Sequence, residues 1–276
     1  MTEARELLDA ASKRLADAGL ESPRVDAELL LSHVLGVPRS RLVTLSGPVH
    51  PSSAVALDRL LKRRAAREPL QHLLGRAWFR HVEVAVGPGV FVPRPETELL
   101  VDAVRPALAA GGCAVDLCAG SGALALALAD EVPGLRVLAV EWERDALAWL
   151  RRNTAGRPVE VVEADVTDPL LPELAGRVDA VTCNPPYVPL DAAVGPEVRH
   201  DPRAAVFAGA DGLALIPAVI ARAAELLRPG GVLALEHDDT HGSAVPDLLR
   251  ADGRWREVAG HADLAGRPRY ATAVRA

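Results

Sequence analysis

The chain has 276 residues, 49% of them hydrophobic and 25% charged, enough for one large core and a second small one. Its formal charge of -6 weighs against the broad basic face that duplex DNA requires, and Lys13 and Lys62 are the only lysines beside the arginines. No apolar run is long enough to span a bilayer and no early run resembles a signal peptide. The odd set Cys113, Cys118 and Cys183 lacks metal-ligand spacing and predicts reduced thiols in the cytoplasm, with no metal.

In chain order, Leu7, Leu8, Ala11, Leu15 and Ala18 form a helical stripe over residues 2–19, closed by Gly19. Ser22-Pro23 opens a second helix, which runs to Leu35 and stops at Gly36. Ser52 or Ser53 opens a third, with Leu57, Leu60 and Leu61 on one face and Arg63-Arg64 near its end. This predicts a helical bundle over residues 1–72 without a catalytic cluster, suited to docking substrate or simply to packing on the core. Residues 73–92 read as a joint, in which Val82, Val84 and Val86 alternate as in a hairpin before the Gly87-Pro88-Gly89 turn. Glu96 to Val104 reads as the first helix of a larger domain over residues 93–276.

That domain begins with an apolar strand, Ala114-Val115-Asp116-Leu117, which runs through Cys118-Ala119 into Gly120-Ser121-Gly122 and then a helix, Ala123 to Ala129. Strand, tight glycine turn and helix let backbone amides approach a nucleotide-like ligand. A second strand, Leu135 to Val140, ends at Glu141, and an acid about 20 residues past the glycines is placed to hold ribose hydroxyls. No Gly-Lys-Ser/Thr follows the glycines, which rules out a Walker-type phosphate loop. A third strand, Val159 to Val162, leads to Asp165 and Val166, an acid for an adenine amine and an apolar cover for its ring, or else a plain turn.

The fourth strand, Val178 to Cys183, ends in Asn184-Pro185-Pro186-Tyr187. The two prolines remove backbone donors, Asn184 adds a side-chain carbonyl, and Tyr187 adds a flat ring. Such a cluster of acceptors at a strand's carboxyl end can grip a planar NH2 group. Beyond it, residues 189–210 form a loop with His200 as a conceivable base. Gly212 to Leu227 reads as a helix ended by Arg228-Pro229-Gly230. Val232 to Glu236 reads as a fifth strand, Ala244 to Ala251 as a helix, and Trp255 to Val258 with Tyr270 to Val274 as the last two strands.

The order Asp116-x-x-x-Gly120-x-Gly122, Glu141, Asp165, Asn184-Pro185-Pro186-Tyr187 resembles the class I methyltransferases that use S-adenosylmethionine. Glu68 to Gly75, Phe91 to Glu98 and Leu235-Glu236-His237 further resemble the peptide chain release factor glutamine N(5)-methyltransferases, over essentially the whole chain. The resemblance implies an α/β, Rossmann-like fold with a mostly parallel seven-stranded sheet and a small N-terminal helical bundle. It implies S-adenosylmethionine as cofactor and S-adenosylhomocysteine as product. Asp116, Cys118, Ala119, Gly120, Ser121, Gly122, Glu141, Trp142, Asp165, Val166 and Asn184 would bind the cofactor, with Phe91 and Thr97 lying over it. Asn184, Pro185, Pro186 and Tyr187 would be catalytic. The substrate would be the glutamine of the Gly-Gly-Gln motif in class 1 release factors, with no membrane and no stable nucleic-acid partner. The residues alone leave the exocyclic amine of adenine in nucleic acid as an alternative acceptor. One departure stands out: Cys118 replaces the first glycine usual in the cofactor loop, and it fits there only with negative φ or at a strain cost.

Overall fold

The computed structural model describes residues 3–45 and 47–276, so the expected helix start at residue 2 lies outside the described residues. The chain divides into two compact units. One comprises residues 1–76 with 195–200, the other residues 77–194 with 201–276.

The first unit is helical. Helix α1 (Ala4–Asp17) starts with a capping box between Glu3 and Glu6. Helix α2 (Pro23–Leu35) carries Pro23 in its first turn and ends on Gly36 at φ +65°. Helix α3 (Pro51–Ala65) begins before the expected serines, because His50 caps it by accepting from the Ser52 amide. Short α4 (Leu70–Leu74) follows. Leu8, Leu15, Leu30, Leu57 and Leu61 meet in one apolar core, so the stripes read from the sequence are buried faces.

The hairpin β1 (Arg76–Phe79) and β2 (Val82–Ala85) leads from the last residue of the first unit into the second, with Val82 and Val84 buried and Glu83 exposed. A 3-10 turn over Pro95–Thr97 leads into α5 (Glu98–Val104). Then β3 (Cys113–Leu117), α6 (Ala123–Glu131), β4 (Arg136–Glu141), α7 (Arg144–Thr154), β5 (Val159–Glu163) and β6 (Val178–Cys183) alternate. The chain continues through α8 (Arg203–Val206), α9 (Ile216–Leu226), β7 (Leu227–Glu236), α10 (Ala244–Asp252), β8 (Trp255–Ala262) and β9 (Pro268–Arg275). The sheet order is β5-β4-β3-β6-β7-β9-β8. Strands β3 to β7 are parallel, while β9 runs antiparallel between β7 and β8. Apolar clusters cover both faces of the sheet, which is why its central strands read as continuous hydrophobic runs.

Two expectations are corrected. Helix α9 starts at Ile216 rather than Gly212, since Pro217 is tolerated in a first turn and not mid-helix. Gly212 instead has φ +78°, and a Cβ there would fall 2.2 Å from the Tyr187 carbonyl oxygen. Arg228-Pro229-Gly230 is no free turn but part of β7. Its ladder with β6 passes from Val178–Leu227 to Ala180–Val232, so the proline-bearing stretch bulges between the two pairs.

Candidate active site

Strand order reverses at β3: β4 and β5 lie to one side of it, β6 and β7 to the other. That is the switch point at which open α/β sheets bind ligands, and Leu117 of β3 pairs with Cys183 of β6 at its rim. The chain therefore leaves β3 at Cys118 and β6 at Asn184 side by side.

The loop after β3 is built from left-handed residues. Cys118 has φ +57°, Gly120 +56° and Gly122 +83°. Cys118 thus takes the strained alternative, in a region that costs a side-chain-bearing residue about 1–2 kcal/mol. The two glycines differ in purpose. A Cβ on Gly122 would lie 2.6 Å from Leu150 Cδ1, so that glycine lets the loop pack on α7, whereas a Cβ on Gly120 meets nothing within 4 Å. Ser121 is buried, and its carbonyl accepts from Asn153. Ala119 donates its amide to the Val140 carbonyl, tying the loop to β4.

Glu141 closes that side. Its Oε2 accepts from the Gly120 amide at 2.8 Å, and its Oε1 from the Trp142 and Glu143 amides at 2.8 and 2.9 Å. Three backbone donors leave the carboxylate oriented and with acceptor capacity to spare. Trp142 stands beside it, 53% exposed. Asp116 lies beneath, 1% exposed, with Oδ1 accepting from the Thr182 hydroxyl at 2.8 Å and Oδ2 lacking any protein partner. Burial pushes its carboxyl up to about 7. Asp165 spends Oδ1 on the amide and hydroxyl of Thr167, both at 2.8 Å, in a local turn, and Val166 is buried in the core.

At the end of β6 the Asn184 amide is anchored by its nitrogen: Nδ2 donates to the Thr97 hydroxyl at 3.1 Å. Thr97, expected to lie over a cofactor, is a buried anchor for Asn184. Among the described residues nothing takes the Pro185 carbonyl. Pro185 is buried, and Pro186 and Tyr187 are half-buried. The Tyr187 amide donates to the Val206 carbonyl, and its hydroxyl donates to Glu236 Oε1 at 2.9 Å. Burial, with the Glu236 charge alongside, pushes the phenol well above its usual value, so Tyr187 stays protonated. Phe91 is half-buried under the Arg94 guanidinium, 4.7 Å from the ring centre, and Arg94 reaches the buried Asp201 carboxylate at 2.5 Å. The Cys183 thiol is pushed up by burial and by Cys118 beside it, as befits a packing residue.

The structure thus unites Asp116, Gly120, Glu141, Thr97, Asn184 and Tyr187 at one rim. His200 is exposed and belongs to residues 195–200 of the helical unit, where Glu197 pairs with Arg64 at 2.9 Å. Sequence reading did not place Glu236, the acceptor of the Tyr187 hydroxyl, at the site. The signal was an acid ending an apolar strand, Val232 to Leu235, in the manner of Glu141.

Family models match both parts of the chain: the PrmC N-terminal domain over residues 6–75 and the methyltransferase small domain over residues 82–199. The release factor glutamine methyltransferase of Mycolicibacterium smegmatis is 50% identical over 278 residues, covering 100% of this chain and 99% of that protein. The chain belongs to the release factor glutamine methyltransferase family. This family scaffold also resembles a 4-amino-L-phenylalanine/4-methylamino-L-phenylalanine methyltransferase of Streptomyces pristinaespiralis, 43% identical over 90% of this chain and 87% of that one. Among solved structures, a T. thermophilus 16S rRNA N2 G1207 methyltransferase in complex with AdoMet and guanosine matches with a TM-score of 0.51. It is 26% identical and covers 73% of this chain and 50% of that one. The class I methyltransferase fold of the second unit is therefore established, and no described helix is long and apolar enough to cross a membrane.

Proposed function

We propose that this protein transfers a methyl group from S-adenosylmethionine to the side-chain amide nitrogen of glutamine in the Gly-Gly-Gln motif of class 1 release factors. One observation carries the choice of an NH2 acceptor: the Asn184 nitrogen is spent on Thr97, so its oxygen faces out beside the unengaged Pro185 carbonyl.

The residues fit the cofactor. Glu141, held by three amides, has one lone pair left, on Oε2, for a ribose hydroxyl, and Trp142 offers an exposed ring to a base. The unpartnered Asp116 oxygen is the acceptor an amino-acid ammonium would satisfy, and the open space at Gly120 admits close approach to the backbone. When bound, S-adenosylmethionine supplies a methyl carbon already activated by a sulfonium.

The chain's own task is to improve and align a poor nucleophile, since an amide nitrogen shares its lone pair with its carbonyl. Asn184 Oδ1 and the Pro185 carbonyl accept the two N–H groups and stabilise the positive charge that develops on that nitrogen. Tyr187 packs on the planar amide, and Pro185-Pro186 keep the turn from reorganising. The helical unit docks the release factor. The protein acts in the cytoplasm, where its substrate and its three free thiols belong.

The relative acting on an aromatic amine supplies a second reading, a small-molecule acceptor, because the same two carbonyls would hold an aniline NH2. Incubation with cofactor and purified release factor, followed by mass spectrometry of the Gly-Gly-Gln peptide, separates the two. A single added methyl on the glutamine is expected. No methyl there, with turnover on 4-amino-L-phenylalanine, would transfer the assignment to the small molecule. In Asn184→Ala we expect turnover to fall on the order of 100-fold with the cofactor still bound; unchanged turnover at saturating cofactor removes Asn184 from the chemistry.

A further inference from the structure

One buried acid at the site has no part in the mechanism above. Glu236 ends β7 with its side chain 1% exposed. Its Oε1 accepts from Tyr187, and Oε2 has no partner of its own. The Thr97 hydroxyl lies beside the same carboxyl and favours its charged form, while Thr97 Oγ1 receives the Asn184 nitrogen. Thr97 and the Asn184-to-Tyr187 turn, two separate segments, therefore meet at a single acid, with Asn184 linked to it only through Thr97.

A hydroxyl has one proton to give. Ionised, Glu236 is an acceptor only, so the Thr97 proton goes to it, and Thr97 can then only accept from Asn184. That leaves the amide nitrogen turned inward and Oδ1 turned out. A neutral carboxyl can donate instead. Thr97 would then pass its own proton to Asn184, the amide would turn over, and its NH2 would face the NH2 of the acceptor. We propose that Glu236 is a positioning residue whose carboxylate, acting through the Thr97 hydroxyl, holds the Asn184 oxygen toward the acceptor nitrogen. This rests on the reading of Asn184 as the group that grips the acceptor.

The charges around Glu236 put the switch in the neutral range. Burial pushes its carboxyl up to about 7; the Thr97 and Tyr187 hydroxyls and Arg269 on β9 oppose this, and Glu96 before α5 adds to it. Arg269 is itself paired with Asp263, Glu98 of α5 accepts from the Arg80 amide and Asp102 pairs with the Arg80 guanidinium, and the cross-strand partner on β9 is Tyr270. Protonation below neutrality gives the carboxyl a proton to donate to Thr97, which frees the Thr97 proton for Asn184, so turnover rises with pH through this range.

The test is steady-state methylation of purified release factor across the neutral range by the wild type, Glu236→Gln, Thr97→Val, their double variant and Asn184→Ala. Cofactor affinity is measured calorimetrically in each. For Glu236→Gln we expect kcat to fall on the order of 100-fold, KM and cofactor Kd to stay within about threefold, and the acidic limb of the pH profile to flatten. Thr97→Val should do the same, and the double variant should be no worse than either single. Wild-type kcat in Glu236→Gln, a surviving acidic limb, or losses that add in the double variant would overturn the proposal. Should Glu236→Gln fail to fold, Thr97→Val decides alone: a kcat within about threefold of wild type overturns it. If Asn184→Ala keeps full turnover, the acceptor reading itself fails, and the role of Glu236 goes with it.

Discussion

Gly120 and Gly122 stand two residues apart in the same left-handed loop, yet alanine should affect them in different ways. At either position a side chain in the left-handed region costs about 1–2 kcal/mol. The stiffer unfolded chain returns about 0.4–1 kcal/mol of that. Gly120→Ala meets no neighbour within 4 Å, so its net cost in the free protein is about 1 kcal/mol. Gly122→Ala places its methyl 2.6 Å from Leu150 Cδ1, and Leu150 is fully buried, so overpacking adds about 1–3 kcal/mol. At about 2–4 °C per kcal/mol, Gly122→Ala should melt several degrees below Gly120→Ala. Cofactor affinity should show the reverse emphasis. The Gly120 methyl fills the space into which the ligand backbone approach is directed, so calorimetry should show a loss of tenfold or more in Gly120→Ala despite its near-normal melting. Equal melting temperatures, or wild-type cofactor affinity in Gly120→Ala, would refute the assignment of one glycine to the ligand and the other to packing.

Three further outcomes follow from the site. The Asp116 carboxyl is pushed from 3.8 to about 7 by burial, so the folded protein binds that proton more tightly than the unfolded chain. Its contribution is full below about pH 4 and is lost as pH rises through about 7, a cost of up to about 4 kcal/mol. Asp116→Asn, which never ionises, should gain stability over the ligand-free wild type as denaturation is moved from acid to mildly alkaline pH; a gap that does not widen refutes this. Tyr187→Phe removes one of the hydroxyls that hold the Glu236 carboxyl down, so the acidic limb of turnover should move to higher pH, and an unmoved limb counts against the Tyr187–Glu236 bond. Trp142→Ala should weaken cofactor binding by about 1–3 kcal/mol, the range for a base stacked on an aromatic ring, and should abolish most of the tryptophan quenching seen on binding. Quenching retained in that variant would assign the signal to another of the four tryptophans.

Much of this protein was determined by its residues alone. Apolar runs bounded by glycine and proline marked β3 to β6, because a parallel sheet covered on both faces needs continuous hydrophobic strands. Asp116, Gly120, Gly122, Glu141 and the Asn184-to-Tyr187 turn could be named because each lies at a strand's carboxyl end, a position local in sequence. What was not legible depends on contacts between distant segments. That Thr97 anchors Asn184 across 87 positions, that Tyr187 reaches Glu236 across 49, and that one glycine of the loop serves α7 while the other faces open space follow from the strand order. The sign of φ at Cys118 was likewise open, since composition allows either value and only the closure of the loop onto Val140 and Glu141 selects the strained one. Strand ends are written in the order of residues, but the pairing of hydrogen-bond donors with acceptors among those ends is a property of the assembled sheet.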